Sequence, residues 1–221
     1  MYKIIYVLSI YVAALSSLLL TGCTALPPHS LEYNTKLVSW EERREKLSMV
    51  QQWSVEGRAA FQIKVKEFGS AESGRETRGG QSGFRWSQLI SAGEKRQKFN
   101  LTGLLGAGAL QLESTPTEAI LIDSDGNAHL GEDPEQLLYE VSGWRFPLSE
   151  AVEWVKGIPA TGVAVESLKL DSQNRVKELA QSGWVLNIKR YQTVNGVDLP
   201  ALLTIKRKDV KVTLRISRWL I

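Results

Sequence analysis

Alternation with a period of two constrains this chain more than any other feature. Val55, Gly57, Ala59, Phe61, Ile63 and Val65 alternate with Glu56, Arg58, Ala60, Gln62, Lys64 and Lys66. That is a long strand with one dry face and one wet face. The period returns at 83–89, 96–102, 110–112, 119–123 and 127–131, and again at 163–170, 176–181, 184–191, 202–207 and 210–217. Asp125-Gly126 is a strong hairpin-turn signal, and a second turn falls near Lys208-Asp209. About ten antiparallel strands rarely stay flat, and they curl into a barrel or half-barrel. The expected class is therefore mainly β (α+β).

Helical signals are few. Ser39 can cap a helix with Glu42 completing a capping box, and Leu47, Met49, Val50 and Trp53 follow at helical spacings. Asp133 and Pro134 open a second helix carrying Leu137, Leu138 and Val141. Ser149 is expected to cap a third, with Ala151, Val152, Trp154 and Val155, ending at Gly157 before Pro159. These helices are too few to cover both faces of a sheet and suit capping one opening. The stretch 67–83, rich in Gly, Ser, Glu and Arg, is expected to be a long mobile hairpin connection.

The first residues stand apart from the fold. Lys3 is followed by an uncharged run, 4–20, and then by Leu20-Thr21-Gly22-Cys23. The ending looks like a bacterial lipobox, which implies cleavage before Cys23 and acylation of its thiol, with 1–22 as the signal peptide. The run is also long enough for an uncleaved membrane anchor. Residues 23–36, with Pro27 and Pro28, are expected to be a lipidated tether, and 37–221 the folded domain. Thr24 in place of Asp after the cysteine implies the outer membrane, facing the periplasm.

Chemistry is hard to find. With one Cys, no internal disulfide is possible. There are two His, His29 in the tether and His129 on a predicted strand, and neither sits with a nucleophile. The run Asp123-Ser124-Asp125-Gly126-Asn127 lacks the full calcium-loop pattern and reads better as a turn. No catalytic residue, metal site or cofactor is expected. The 27 Lys and Arg against 24 Asp and Glu give a formal charge of +3, too small and dispersed for nucleic acid. Lys206-Arg207-Lys208 reads as a charged hairpin edge.

One connection is unusual. Gly103-Leu104-Leu105-Gly106-Ala107-Gly108-Ala109 joins two strands with no charge, where connections are normally polar. Two readings fit: the leucines fold back into the core, or an apolar tip protrudes toward a membrane or a partner.

At this point the chain resembles a known family, the outer-membrane lipoprotein receptor LolB. The resemblance rests on Phe99-Asn100-Leu101-Thr102-Gly103-Leu104-Leu105-Gly106 with Leu110-Gln111-Leu112, and on Pro147-Leu148 with Trp154-Val155-Lys156-Gly157-Ile158-Pro159. Gly183-Trp184-Val185 and Arg218-Trp219-Leu220 complete it. Gly103-Leu104 stands where that family is expected to carry Asn-Pro. The resemblance implies an unclosed antiparallel barrel with short helices over its opening. It implies a monomer that accepts lipoproteins from a LolA-like periplasmic carrier and passes them into outer-membrane phospholipid without ATP. It also implies an insertion loop at Leu104, Leu105 and Gly106, where the place just before Gly106 assigns the tip to Leu105, with Leu104 the alternative. The alternative function is a structural or assembly lipoprotein that only binds other proteins.

Physical chemistry gives the implied function its shape. Each buried CH₂ is worth about 0.8 kcal/mol, so wetting three acyl chains costs on the order of tens of kcal/mol. An apolar hollow avoids that cost, and a few kcal/mol of affinity difference then decides direction. The candidate lining is Phe61, Ile63, Phe99, Leu101, Leu186 and Leu214 from the strands and Trp154 from the third helix, with membership of an ordinary closed core the equal alternative for each.

Overall fold

A computed structural model describes residues 37–66, 75–91, 93–103, 109–143, 145–208 and 210–221. For 63–66, 75–79, 90 and 91 it describes the backbone path alone. Among these residues, eleven antiparallel strands form one sheet: β1 (Trp53–Lys66), β2 (Arg75–Ser91), β3 (Glu94–Thr102), β4 (Ala109–Ser114), β5 (Ala119–Ile122), β6 (Ala128–Gly131), β7 (Val165–Leu170), β8 (Val176–Gln181), β9 (Trp184–Val194), β10 (Val197–Arg207) and β11 (Val210–Leu220). Three helices accompany them: α1 (Trp40–Ser48), α2 (Pro134–Ser142) and α3 (Leu148–Lys156).

The strand order is β6-β5-β4-β3-β2-β1-β11-β10-β9-β8-β7. Every neighbouring pair is consecutive in the chain except β1 with β11, which seals the two halves. The edges β6 and β7 do not pair, so the barrel is unclosed. The chain crosses from one open edge to the other through α2 and α3. Helix α2 lies against β4, β5 and β6, while α3 lies against α2 and β10.

Local chemistry explains the elements. The capping box of α1 forms as expected: Ser39 Oγ accepts from Glu42 N at 3.2 Å, and Ser39 N donates to Glu42 Oε2 at 3.0 Å. Asp133 caps α2 through the backbone N–H groups of Glu135 and Gln136. The Asp125-Gly126 turn is organised by Asp123 Oδ1, which accepts from Asp125 N and Asn127 N. At the central seam the register shifts between Glu56 and Gly57. A Cβ at Gly57 would lie 2.0 Å from the Arg215 carbonyl oxygen, so only glycine lets the strands approach there.

Three expectations need correction. Trp53 belongs to β1 and not to the first helix, which stops at Ser48 with Met49 as its cap. Ladder pairing with Gln88 and burial to 2% exposure outweigh its helical spacing. Residues 75–83 are strand and not connection, because β1 extends far enough to pair with them from Arg75 onward. Ser149 does not cap α3. That helix begins at Leu148 with Pro147 as its N-cap, and the Ser149 N–H donates to Glu135 of α2 instead, at 2.9 Å.

Candidate functional site

The concave face of the sheet is largely apolar. Val55, Ala59 and Phe61 of β1 meet Phe84 and Trp86 of β2, Phe99 and Leu101 of β3, and Leu110 and Leu112 of β4. From the other half come Leu179, Leu186, Ile188, Leu203, Ile205, Val212, Leu214 and Ile216. Helix α3 closes over them with Ala151, Val152, Trp154 and Val155.

Six of the seven residues expected to line the hollow are buried on this surface. Phe61, Phe99, Leu101, Trp154, Leu186 and Leu214 all belong to one continuous cluster. Phe61, Phe99 and Leu101 lie on the β1–β3 side, Leu186 and Leu214 on the β9–β11 side, and Trp154 on the helix above. Ile63 pairs with Val210 and Arg78 in the ladder, and its side chain lies outside the described residues. Cys23, Leu104, Leu105 and Gly106 also lie outside them.

An aromatic run crosses the face. Ring centroids are 5.9 Å apart for Trp219 and Trp53, 5.6 Å for Trp53 and Trp86, and 5.4 Å for Trp86 and Phe99. The Trp219 indole N–H donates to the Pro200 carbonyl at 2.8 Å. The indole Nε1 atoms of Trp53 and Trp86, and Ser82 Oγ, are buried without a partner. Each such group costs about 1–3 kcal/mol of desolvation. Alternation placed these residues on the inner face, but nothing in the sequence marks an indole as unpartnered.

Among the described residues, a partly enclosed space bordered by Phe61, Val210, Val212 and Phe146 is about 60 Å³. Ligand pockets more often span about 300–1,000 Å³. A dry hollow of roughly 300 Å³ would cost about 7 kcal/mol at about 24 cal/mol per Å³, which is a large part of a domain's stability. The described space of about 60 Å³ stays well below that size. Just outside it a cleft of about 520 Å³ runs between α2, Trp184 and Arg207. Arg145 and Phe146 border both spaces. Phe146 stands edge-on to Trp184 at 5.9 Å, and the Arg145 guanidinium lies 3.9 Å from the Tyr139 ring centre.

The two covering helices are held differently. Helix α3 is tied to the sheet by Gln181, a fully buried residue that the alternation alone gave no reason to single out. Its Oε1 accepts from Trp154 Nε1 and Ala160 N, each at 2.9 Å. Its Nε2 donates to the carbonyls of Ala160 and Val163 at 3.0 and 2.9 Å. Lys156, 2% exposed, pairs with Glu153 at 3.0 Å and donates to the Val50 carbonyl at 3.3 Å. Helix α2 rests on the sheet through Leu137 and Leu138, and Glu135 links it to Ser149 of α3.

Among the described residues no group of His, Cys, Asp and Glu is arranged to hold a metal ion. His129 Nε2 lies 2.8 Å from Asp123 Oδ2, and that contact, with the turn's N–H groups, holds the Asp123 carboxyl far below the usual carboxylate range. Asp123 is thereby committed to its hairpin.

A model of the family described as outer membrane lipoprotein LolB matches residues 51–219. An outer-membrane lipoprotein LolB of Halorhodospira halophila is 33% identical over 205 residues, covering 93% of this chain and 91% of that one. The Pseudomonas aeruginosa protein of the same name is 32% identical over 213 residues, 96% of each chain. Among solved structures, a LolA superfamily protein from Nitrosomonas europaea is similar over 83% of this chain and 94% of that one, with a TM-score of 0.42 and 10% identity.

Proposed function

Because this chain belongs to the outer membrane lipoprotein LolB family, we propose that it is an outer-membrane-anchored receptor that accepts lipoproteins from a LolA-like periplasmic carrier and inserts them into the outer membrane. The reading is carried by the continuous apolar concave face of an unclosed sheet, running from Leu101 to Leu186 under a helical cover. Acyl chains enter where Phe146 separates the outer cleft from the inner space, and the lining parts to admit them. The aromatic run from Trp219 to Phe99 offers them a flat apolar bed. The unpartnered donors of Trp53, Trp86 and Ser82 are available to ester oxygens arriving with the chains.

No ATP is required, because a chain passing between two apolar cavities is never released to water. The free-energy difference that sets direction is that between carrier, receptor and bilayer. Cys23 supplies the lipid anchor, residues 23–36 the tether and 37–221 the binding domain, working as a monomer. Leu104, Leu105 and Gly106 form the loop that enters the bilayer.

Transfer from a loaded carrier to phospholipid vesicles tests the reading. The full chain is expected to take up acylated client and release it to vesicles, and to leave unacylated client with the carrier. Leu105→Glu is expected to take up client as the unmodified chain does, yet to slow delivery about tenfold or more. Equal handling of both client forms contradicts the cavity, and unchanged delivery by the variant removes the loop from the mechanism.

A further inference from the structure

The convex face of the sheet carries a second groove, on the side away from the acyl-chain lining. It spans about 760 Å³ over β11, β1, β2, β3 and β4. Its floor is small: Gly83, Thr102 and Ala109 lie side by side across β2, β3 and β4. Its walls are charged, and most of the charge is internally balanced. Glu56 takes Arg85 at 2.9 Å and Arg218 at 3.9 Å, and Lys98 pairs with Glu113 at 2.6 Å.

Two cations are left over. Arg58 and Arg215 sit directly opposite each other in the β1–β11 ladder, both are exposed, and neither has an anionic partner among the described residues. Directly opposed like charges destabilise an antiparallel pair, and opposed residues have Cα atoms roughly 4.5–5.5 Å apart. Two guanidinium groups at that separation can converge on one phosphate, for which the Arg fork is the matching geometry.

We propose that Arg58 and Arg215 bind the phosphate of an anionic glycerophospholipid headgroup. Three observations favour a lipid. The groove is concave and floored by small residues, which suits one headgroup better than a flat protein face. Its floor ends at Thr102 and Ala109, which flank the uncharged Leu104-Leu105-Gly106-Ala107-Gly108 in the sequence. A cationic groove whose floor leads along the chain into an uncharged apolar segment matches the two layers of a bilayer surface. The site lies on the opposite face from the acyl-chain lining, so it stands or falls separately from the function proposed above.

Thermal unfolding of the full chain in mild detergent at low salt tests this, with monomeric dihexanoyl-phosphatidylglycerol, dihexanoyl-phosphatidylcholine and inorganic phosphate as probes. A ligand that binds only the folded state raises the midpoint. The phosphatidylglycerol is expected to raise it by about 5–11 °C at a concentration near a hundred times its Kd, and the other two by less than half as much. The double variant Arg58→Gln, Arg215→Gln is expected to lose that response while unfolding at the same temperature as the unmodified chain or about 1–2 °C higher, since its like-charge pair is gone. An equal response to phosphatidylcholine places the binding in the acyl site and overturns the proposal. An equal response to inorganic phosphate shows an adventitious ion only and overturns it too. So does a double variant that still responds, or one whose only lost property is binding of an acidic carrier protein.

Discussion

Gln181 shows how a single polar residue can set the rigidity of a helical cover. Both lone pairs of its oxygen and both hydrogens of its nitrogen are used, and all four partners belong to α3 or to the chain just after it. Gln181→Leu keeps the volume but strands the Trp154 indole N–H and the peptide groups of Ala160 and Val163. The expected loss is about 3–4 kcal/mol, near the upper end for single substitutions, read as a lower urea midpoint. A second residue ties stability to pH. Burial on its own raises the Asp171 carboxyl, but the Arg175 side chain and the backbone N–H groups of Arg175 and Gln173 outweigh it, leaving the native value below the usual 3.8. A carboxyl depressed in the folded state stabilises fully above its unfolded value, and that stability fades as pH falls through the native one. The urea midpoint is therefore expected to fall below about pH 4, and Asp171→Asn is expected to flatten that fall while lowering the midpoint at neutral pH.

Elements were legible where local chemistry and burial agree. The period of two marked β1 because Val55, Ala59 and Phe61 really do face one core, and Ser39 and Asp133 formed the caps their residue types predict. Strand 75–83 was hidden because Gly79, Gly80 and Gly83 look like loop residues, and only the reach of β1 makes them ladder. Trp53 was misread for a similar reason: its spacing is helical, but its partner Gln88 is far away in sequence. Within the site, apolar lining was readable from alternation, whereas Gln181 and the unpartnered indoles depend on pairings that no local pattern encodes. The differing attachment of α2 and α3 leads to an element-scale prediction. A Cβ built on Gly131 would lie 3.8 Å from Leu137 Cβ, which is the usual disulfide separation of about 3.8 Å. Gly131→Cys with Leu137→Cys is expected to form a bond that pins α2 to β6 and stops client uptake under oxidising conditions, with dithiothreitol restoring it. Uptake by the oxidised form at the normal rate would mean that α2 is not the part that moves.

At the scale of the whole molecule, topology and function share one cause. A sheet whose edges β6 and β7 never meet must cover its open side, and the only chain available between those edges is the segment that carries α2 and α3. In the function proposed above, the gap that these helices cover is also where acyl chains pass. Faces divide the labour: mainly apolar residues inward and charge outward, paired in places and left over at Arg58 and Arg215. Site-specific photo-crosslinking measures this division most directly. A photoreactive residue placed at Phe99 or Leu186, which face inward, is expected to capture acylated client taken from the carrier, while one at Lys98 or Asn187, their neighbours on the other face, captures at least tenfold less. Inward capture that is absent, or that is equally strong with unacylated client, would contradict passage of acyl chains through the interior.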